Sequence, residues 1–430
     1  MDGSTTWTDH NVYILGAGFS AEAGPPVVKH FMERMTDATA WLRESGGRQD
    51  ELQAIQNVLG FRVRAKAAAE HVPLNLSNVE ELFSLASTVT GQPGLELSVS
   101  VNSAIAATLD FARKTAPPPK DHENFHIGIL KSQYRTPAPS WSPSPAHVTA
   151  SMGALSPERD WFACPPFEFY VGAMTGYFAP PSAERRNTFI TLNYDTVIED
   201  ALSALNIPYS YALWPHTVTY HWSASCVQER QRADAVNVLK LHGSVNWGMF
   251  DRYSNMTVYG NYERLLRDTM RQKVVLVPPT WHKGWDLEHP VSAVWEAAVE
   301  AIRTATRLVI VGYSVPLTDL HFKYLLAAGF QENGSLREIF FVNPDLKDKA
   351  RKKEIEDRLF SPIGLLRRER LDQGMINLVP ATTREFFDTP RDIYSKPHRI
   401  RIGRALCGSA VSTETAAFAV SNMMNGFSCE

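Results

Sequence analysis

Seven short runs of apolar residues, rich in β-branched side chains, recur along the chain. They are Val12–Leu15, Thr188–Leu192, Val236–Leu241, Val274–Val277, Leu308–Val311, Ile339–Val342 and Ile376–Val379. Most are continuous rather than alternating, which is typical of strands buried on both faces of a sheet. Helical patterns such as Val294–Thr304 and Asp319–Ala328 separate several of them. We therefore predict an α/β fold with a Rossmann-like, mostly parallel sheet that helices cover on both sides.

The segment between the first strand–helix unit and the strand at 188 does not resemble sheet. Residues 27–115 have a mostly helical pattern, and within them Val79, Leu82, Phe83 and Leu85 fall on one face of a helix that Asn78 or Ser77 is suited to cap. Residues 116–145 are rich in proline and predict loop or linker. We predict four parts: a first βα unit at 1–26, a large helical insertion at 27–185, the remainder of the α/β domain at 186–390 and a C-terminal extension at 391–430.

Polar motifs follow five of the predicted strands, at the point where each strand ends. They are GAGFS at 16–20, NYD at 193–195, HGS at 242–244, GYS at 312–314 and NPD at 343–345. In open parallel sheets, ligands bind beyond the carboxyl ends of the strands, near the position where the strand order reverses. Five such motifs at one edge predict a ligand site there.

The first motif predicts contact with a phosphate. Gly16, Gly18 and Ala21 match the GxGxx(G/A) pattern, in which small residues let the backbone approach a pyrophosphate. The acidic ribose partner of a dehydrogenase should end a second strand, but Glu33 and Asp37 lie in a helical stretch. An ordinary dehydrogenase unit is therefore disfavoured. Ser20 is suited to a phosphate or ribose contact, and equally to a helix cap.

The second and third motifs carry side chains capable of catalysis. His242 is suited to act as a general base near neutral pH, although a packed core imidazole is the alternative. Asn193, beside Asp195, is suited to orient a water molecule or a ribose hydroxyl, whereas a buried Asn can also simply satisfy loop backbone groups. These residues predict chemistry on a nucleotide.

The last two motifs suit the ribose of a nucleotide. Gly312 and Ser314 are suited to bind ribose or phosphate, and Asn343 and Asp345 are suited to a ribose diol. Ordinary turn chemistry explains Asn-Pro-Asp as well. Asp319, which follows shortly after the GYS motif, is better suited to a helix cap.

Composition excludes several classes of protein. The formal net charge of -3 gives no general attraction to nucleic acid or membranes, and the balanced charges of 345–370 predict a solvated helix. The four cysteines, Cys164, Cys226, Cys407 and Cys429, are too scattered for a CxxC zinc module. With no secretory signal and no apolar run of membrane-spanning length, we expect a cytoplasmic, soluble protein. The basic tail at 395–405 suits an oligomer or partner contact, or simple packing on the body.

In this order the five motifs resemble the sirtuin-type NAD-binding fold, over roughly residues 11–345. NVEELFSLAS at 78–87 and PPTWHKG at 278–284 resemble its divergent bacterial branch, whose members are NAD-hydrolysing effectors of anti-phage defence. The resemblance implies roles by motif. Asn193 and His242 would be catalytic with Asp195 fixing the nicotinamide side, Gly16, Ala17, Gly18 and Ser20 would hold the NAD phosphates, and Ser314, Asn343 and Asp345 would hold the adenosine half. Phe19 and Gly312 would also bind NAD.

Two departures from the deacylating sirtuins bear on the reaction. The four-cysteine zinc module is absent, and Leu192 replaces the Gln of the TQN motif. Water is therefore the expected acceptor, which implies an NAD glycohydrolase that takes NAD as its substrate and needs no zinc. The alternatives are a protein deacylase or ADP-ribosyltransferase, and a catalytically silent module that senses NAD or ADP-ribose. The resemblance also implies a homo-oligomer, or a separate sensor or ATPase partner, with the isolated chain partly inhibited.

Overall fold

The computed structural model describes residues 9–89, 91–120, 122–126, 161–175, 185–214, 217–221, 235–250, 255–270, 272–278, 290–316, 319–361 and 364–387. The predicted C-terminal extension, the basic tail, most of the proline-rich segment and the PPTWHKG motif beyond residue 278 lie outside these ranges.

Within the described ranges the strands are β1 (Asp9–Leu15), β2 (His122–His126), β3 (Trp161–Cys164), β4 (Arg185–Thr191), β5 (Tyr209–Ser210), β6 (Val218–His221), β7 (Val236–Lys240), β8 (Gly243–Met249), β9 (Met256–Tyr259), β10 (Lys273–Leu276), β11 (Arg307–Val311), β12 (Glu338–Val342) and β13 (Ile376–Val379).

The helices are α1 (Ala17–Ser20), α2 (Val28–Ser45), α3 (Gln49–Ala69), α4 (Val79–Ser87), α5 (Gly91–Thr115), α6 (Pro166–Thr175), α7 (Val197–Ala204), α8 (Tyr262–Leu266), α9 (Pro290–Thr304), α10 (Leu320–Phe330), α11 (Lys349–Phe360), α12 (Arg368–Asp372) and α13 (Thr383–Phe387). Two 3₁₀ segments, Ala21–Ala23 and Pro344–Lys347, complete the described helical structure.

A seven-stranded sheet forms the centre of the molecule, in the order β13-β12-β11-β1-β4-β7-β5. Every neighbouring pair in it is parallel. The chain builds outward from β1 through β4 to β7, then returns to β11 on the other side of β1 and builds outward again. This reversal defines a Rossmann topology with its switch point between β1 and β11, and the predicted fold class is confirmed.

One of the seven predicted strands lies outside this sheet. The run at Val274–Val277 corresponds to β10 (Lys273–Leu276), which pairs antiparallel with β8 in a separate four-stranded sheet of order β10-β8-β9-β6. Its apolar run is continuous because both of its faces are buried. Val275 packs in the core of the main sheet, whereas Val274 and Leu276 pack against the helical insertion.

The helical prediction for residues 27–115 is confirmed by α2, α3, α4 and α5. Asn78 caps α4 as predicted, because its side-chain carbonyl accepts a hydrogen bond from Glu80 N at 2.9 Å. These helices pack on the four-stranded sheet and on α8: the amide of Asn102 donates to Leu276 O in β10 at 3.1 Å, and the hydroxyl of Tyr262 in α8 donates to Glu51 at 2.8 Å. The insertion therefore contacts the sheet whose strand β8 begins directly after His242.

Two local expectations are also settled. The expectation that 27–185 contains no strands is wrong, because β2 and β3 form a two-stranded antiparallel sheet; the mixed polar sequence of β2, HENFH, gives little apolar signal. The predicted solvated helix is confirmed as α11, whose exposed surface carries ion pairs between Arg358 and Glu354 and between Lys352 and Glu356. No helix in the described ranges is long and apolar enough to cross a membrane.

Candidate functional site

Three glycines interlock at the switch point of the sheet. Gly16 N donates to Val311 O at 3.0 Å, and Gly18 N donates to Gly312 O at 2.9 Å. A Cβ atom on Gly16 would lie 2.6 Å from Gly312 O. Gly312 itself has φ +67°, and a Cβ atom there would lie 2.3 Å from Phe19 N. The ends of β1 and β11 therefore approach each other more closely than any larger residue allows.

The helix after β1 is shorter than the sequence pattern indicates. Helix α1 spans one turn, Ala17–Ser20, and a 3₁₀ segment follows it. Gly24 then adopts φ +105°, and Pro25 and Pro26 delay the next helix until Val28. The GAGFS motif is thus a tight loop with one helical turn.

The hydroxyl of Ser20 bridges two of the predicted catalytic side chains. It accepts a hydrogen bond from Asn193 Nδ2 at 3.0 Å and donates one to Asp195 Oδ1 at 3.2 Å. Ser20 is fully buried, and its side chain makes no helix-capping hydrogen bond. In this arrangement Ser20 links the first motif to the second.

The side chain of Asn193 is held in one orientation. Its Nδ2 donates to Gly16 O at 3.0 Å as well as to Ser20, so both amide hydrogens have protein acceptors. Asn193 N donates to Thr191 Oγ1 at 3.1 Å, which fixes the backbone of the loop. The oxygen Oδ1 accepts no hydrogen bond from the described residues. Chemically, Asn193 can therefore accept a hydrogen bond from a water molecule or a hydroxyl group.

Asp195 is buried beside Asn193, with only 5% of its surface exposed. Its Oδ1 accepts from Val197 N at 3.0 Å in addition to Ser20. The carboxylate is thus fixed at the start of α7, where it supplies negative charge near the end of β4.

His242 lies in the turn between β7 and β8, and 6% of its surface is exposed. Its ring centroid is 6.0 Å from that of Tyr194, and its carbonyl accepts a hydrogen bond from Val277 N at 2.9 Å. The hydroxyl of Tyr194 donates to Val277 O at 2.9 Å. Burial raises the pKa of Tyr194 far above its usual value, so this phenol stays neutral. The NYD loop and the HGS turn are therefore tied together through the end of β10.

The other two residues of the HGS motif are structural in their contacts. Gly243 has φ +78°, and a Cβ atom there would lie 2.3 Å from Val275 O. Ser244 is fully buried and donates to Asn246 Oδ1 at 2.6 Å. Of the three residues in this motif, His242 is the one whose side chain is chemically capable of acid–base catalysis.

In the GYS and NPD motifs, some side chains are open to a ligand and others are occupied by contacts within the protein. Asn343 uses both ends of its amide within the protein, donating to Tyr313 O at 3.1 Å and accepting from Asp345 N at 2.9 Å. The carboxylate of Asp345 is partly exposed and pairs with Arg351 at 2.8 Å. Ser314 is exposed at the end of the β11 loop. Ser314 and Asp345 thus retain access to a ligand, whereas Asn343 ties the two loops together.

Asp319 serves as the predicted helix cap. Its Oδ1 accepts from Phe322 N at 3.3 Å, at the start of α10, and its Oδ2 accepts from the hydroxyl of Tyr313 at 3.1 Å.

Sequence reasoning missed a buried ion pair behind the NYD loop. Lys240 Nζ lies 2.8 Å from Glu199 Oε1, with 0% and 3% of the two side chains exposed. Lys240 also donates to the main-chain carbonyl of Asp195. Burial raises the pKa of Glu199, and the charge of Lys240 opposes that rise. A signal was present, since Lys240 interrupts the otherwise apolar end of β7.

A second cation contacts the same loop from the insertion. Arg113 on α5 donates to Thr196 Oγ1 at 2.9 Å and to Asp200 Oδ2 at 2.8 Å. Both acceptors lie directly beyond Asp195, at the start of α7. The insertion therefore contacts the segment that carries the predicted catalytic residues.

No group of three or more His, Cys, Asp or Glu side chains that could hold a metal ion occurs in the described part of the chain. Cys226, Cys407 and Cys429 lie outside that part. The expectation that the protein needs no zinc stays a prediction.

The fold is an α/β domain of Rossmann topology. Residues 187–363 match the family model of the SIR2-like domain. This range begins in β4 and includes the NYD, HGS, GYS and NPD motifs, but not the glycine loop. The predicted resemblance to a sirtuin-type domain is therefore confirmed over residues 187–363.

Three solved structures are similar to this chain. One is a crystal structure of a Sir2 homologue in complex with NAD (15% identity, 93% of each chain covered, TM-score 0.37). Another is a mutant Sir2 homologue with 2′-O-acetyl ADP ribose (14% identity, 94% of this chain and 98% of that one, TM-score 0.38). The third is Sir2Tm bound to a propionylated peptide (12% identity, 88% and 90%, TM-score 0.31).

These low TM-scores add nothing to the resemblance, which rests on the motifs and on the family model over residues 187–363. No protein of curated function matches the chain.

Proposed function

We propose that this protein is an NAD glycohydrolase, which converts NAD to nicotinamide and ADP-ribose (linear or cyclised). The observation that carries the proposal is the placement of Asn193 and His242. Both are buried, and they follow the adjacent parallel strands β4 and β7. Asn193 also contacts the glycine loop at the switch point, because its side-chain amide donates to Gly16 O. A base, an acceptor that can orient water and a phosphate-suited loop thus occur side by side.

The chemistry asks little of the protein beyond orientation and charge. The bond between C1′ of the ribose and the nicotinamide nitrogen breaks, and nicotinamide leaves with the bonding electron pair as a neutral molecule. Asn193 Oδ1 accepts a hydrogen bond from the attacking water, whose oxygen bonds to C1′. His242 accepts the proton that the water loses. The negative charge of Asp195 stabilises the cationic character that develops at C1′.

The remaining predicted residues bind the substrate in this proposal. The backbone of Gly16, Ala17, Gly18 and Phe19 contacts the diphosphate, together with Gly312. Ser314 and Asp345 contact the adenosine half, and Ser20 and Asn343 hold the loops that make these contacts. Water is favoured as the acceptor because Leu192, in place of Gln, is an apolar residue that departs from the acyl-peptide-using pattern.

The resemblance to the bacterial defence branch supports a biological role. In this proposal the protein acts in the cytoplasm as an anti-phage effector that depletes NAD, controlled by oligomerisation or by a separate sensor or ATPase. The contact of Arg113 with Thr196 and Asp200 offers the insertion a route to the catalytic loop.

The test is NAD consumption by the purified chain, wild type against His242→Ala, with the products separated by chromatography. We expect nicotinamide and ADP-ribose in equal amounts from the wild type and none from the variant. Folding of both proteins is checked by circular dichroism. Turnover retained by His242→Ala, or turnover that appears only with an added protein substrate, would contradict the proposal.

A further inference from the structure

A chain of buried polar side chains runs behind the predicted catalytic loop. Its members are at most 4% exposed, and they connect the main-chain carbonyl of Asp195 to strand β8. In order along the chain of contacts they are Lys240, Glu199, Tyr211, Asn246 and Ser244.

The contacts are continuous. Lys240 donates to Asp195 O and to Glu199 Oε1, and the hydroxyl of Tyr211 donates to the same Oε1 at 3.2 Å. Asn246 Nδ2 donates to Tyr211 Oη at 3.3 Å and to Tyr259 O at 2.8 Å. Ser244 completes the series with its hydrogen bond to Asn246. The chain of contacts therefore begins at the NYD loop and ends in the HGS motif.

The ion pair at its start is costly for a purely structural role. Removing an ammonium and a carboxylate from water costs several kcal/mol for each ion, and well-packed apolar residues of similar volume often serve stability as well or better. Lys240 is itself fully buried at the end of β7. Packing alone does not explain a buried ion pair at this position, which indicates a use of the charge other than packing.

The position of the pair indicates that use. Lys240 precedes His242 by two residues, and its ammonium reaches across to the carbonyl of Asp195 and to Glu199 in the first turn of α7. One side chain thus joins the strand that carries His242 to the loop that carries Asn193 and Asp195. Hydrogen bonds made by charged groups are about twice as strong as neutral ones, which suits a contact that must hold a loop.

We infer that Lys240 and Glu199 are a positioning pair, which fixes Asp195, and through it Asn193, relative to His242. Neither residue touches the reacting atoms. The inference rests on the proposed function for its catalytic consequence, whereas its effect on the loop is independent of catalysis. The rigidity of the loop and the turnover of NAD can therefore be measured separately.

The test replaces the pair by apolar residues, Lys240→Met with Glu199→Leu, so that no charge is left buried alone. The matched control is Arg307→Met with Glu338→Leu, an ion pair of 3.5 Å whose Arg is 5% exposed, at the opposite end of β11 and β12. If the first double variant does not fold, Lys240→Met with Glu199→Gln replaces it, because glutamine keeps an acceptor for Tyr211 and carries no charge.

We expect the folded variant to lose roughly 10- to 100-fold in kcat, with a much smaller change in KM, because the catalytic groups are displaced but the substrate contacts are kept. Hydrogen exchange of the peptide spanning 192–199 should become faster, while the control variant shows neither change. Wild-type kcat together with wild-type exchange in a folded variant would overturn the inference.

The two proposals fail in different ways. If the wild-type protein releases no nicotinamide, the proposed function fails, and the exchange of the 192–199 peptide alone decides the inference. Faster exchange there, with unchanged exchange in the control, supports the positioning role. Unchanged exchange overturns it.

Discussion

At the scale of single residues, the amide of Asn193 shows how the site selects one chemical role. Donation to Gly16 O and to Ser20 Oγ uses both hydrogens of Nδ2. A freely rotating Asn could donate or accept, but this one is left with an acceptor. That distinction matters because an acceptor orients a water molecule with its lone pairs turned away, toward the carbon that it attacks.

His10 provides a residue-scale prediction at the opposite end of the same sheet. Its ring contacts the hydroxyls of Thr188 and Thr304, both at 3.0 Å, and it is fully buried. Burial, helped by the charge of Arg186, lowers the pKa of His10 from 6.5 to about 3. Between these two pKa values the unfolded chain binds a proton at His10 that the folded chain does not bind. The stability that neutral His10 allows is therefore fully present above pH 6.5 and is lost as the pH falls toward the folded pKa.

Between pH 7 and pH 5 we expect this one residue to lower the free energy of unfolding by roughly 2 kcal/mol. Urea denaturation at both pH values, for wild type and His10→Gln, measures the difference. The variant should be less sensitive to pH over this range. His30→Gln, at an exposed histidine paired with Glu33, is the control and should follow the wild type. Equal pH dependence in all three proteins would refute the assignment.

At the scale of elements, close backbone contact between the loops after β1 and β11 brings the first and fourth motifs together. The loops after these strands are in backbone contact through Gly16, Gly18 and Gly312. The GAGFS backbone is therefore positioned by a loop that follows it by almost three hundred residues in the chain. The glycines are therefore needed for the packing of the two loops, apart from their proposed role in phosphate binding.

Replacing Gly312 by alanine tests the importance of this contact between the loops. The positive φ alone costs about 1–2 kcal/mol in a residue with a Cβ atom, and the clash with Phe19 N must also move the loops apart. Gly374→Ala is the matched control, because Gly374 has φ +75° and open space around its Cβ position.

Thermal unfolding and NAD titration calorimetry together separate the two effects. Both variants should lose stability through the backbone, but Gly312→Ala should lose more and should bind NAD more weakly. If both variants lose the same stability and keep their NAD affinity, the contact between the loops after β1 and β11 does not determine NAD binding.

At the scale of the whole molecule, most of the parallel sheet could be predicted from the sequence. Strands β1, β4, β7, β11 and β12 are largely buried, so their apolar runs are easily recognised and end at polar motifs, whereas the edge strand β13 is only partly buried at Asn377 and Leu378. The convergence of those motifs followed from the geometry of parallel strands, without knowledge of any side-chain contact.

The failures have a common physical cause, since each depends on partners distant in sequence. The run at Val274–Val277 is apolar because the insertion covers one of its faces, and nothing local distinguishes that from a strand of the main sheet. Lys240 at the end of β7 pairs with Glu199 in α7, which lies 41 positions away in the chain. The motif predicts that Asn343 lies at this edge of the sheet. Its hydrogen bonds with Tyr313 O and Asp345 N could not be predicted, because they depend on how two loops pack together.

The central claim, that the ends of β4 and β7 form a site that hydrolyses NAD, is tested most directly by nicotinamide release at saturating NAD from three proteins. These are the wild type, Asn193→Ala and the control Asn187→Ala, an asparagine near the opposite end of β4 that donates to Thr175 O. We predict a loss of roughly 100-fold or more for Asn193→Ala, because the oriented water is lost, and wild-type release from the control. Release by a folded Asn193→Ala protein at the wild-type rate would contradict the account.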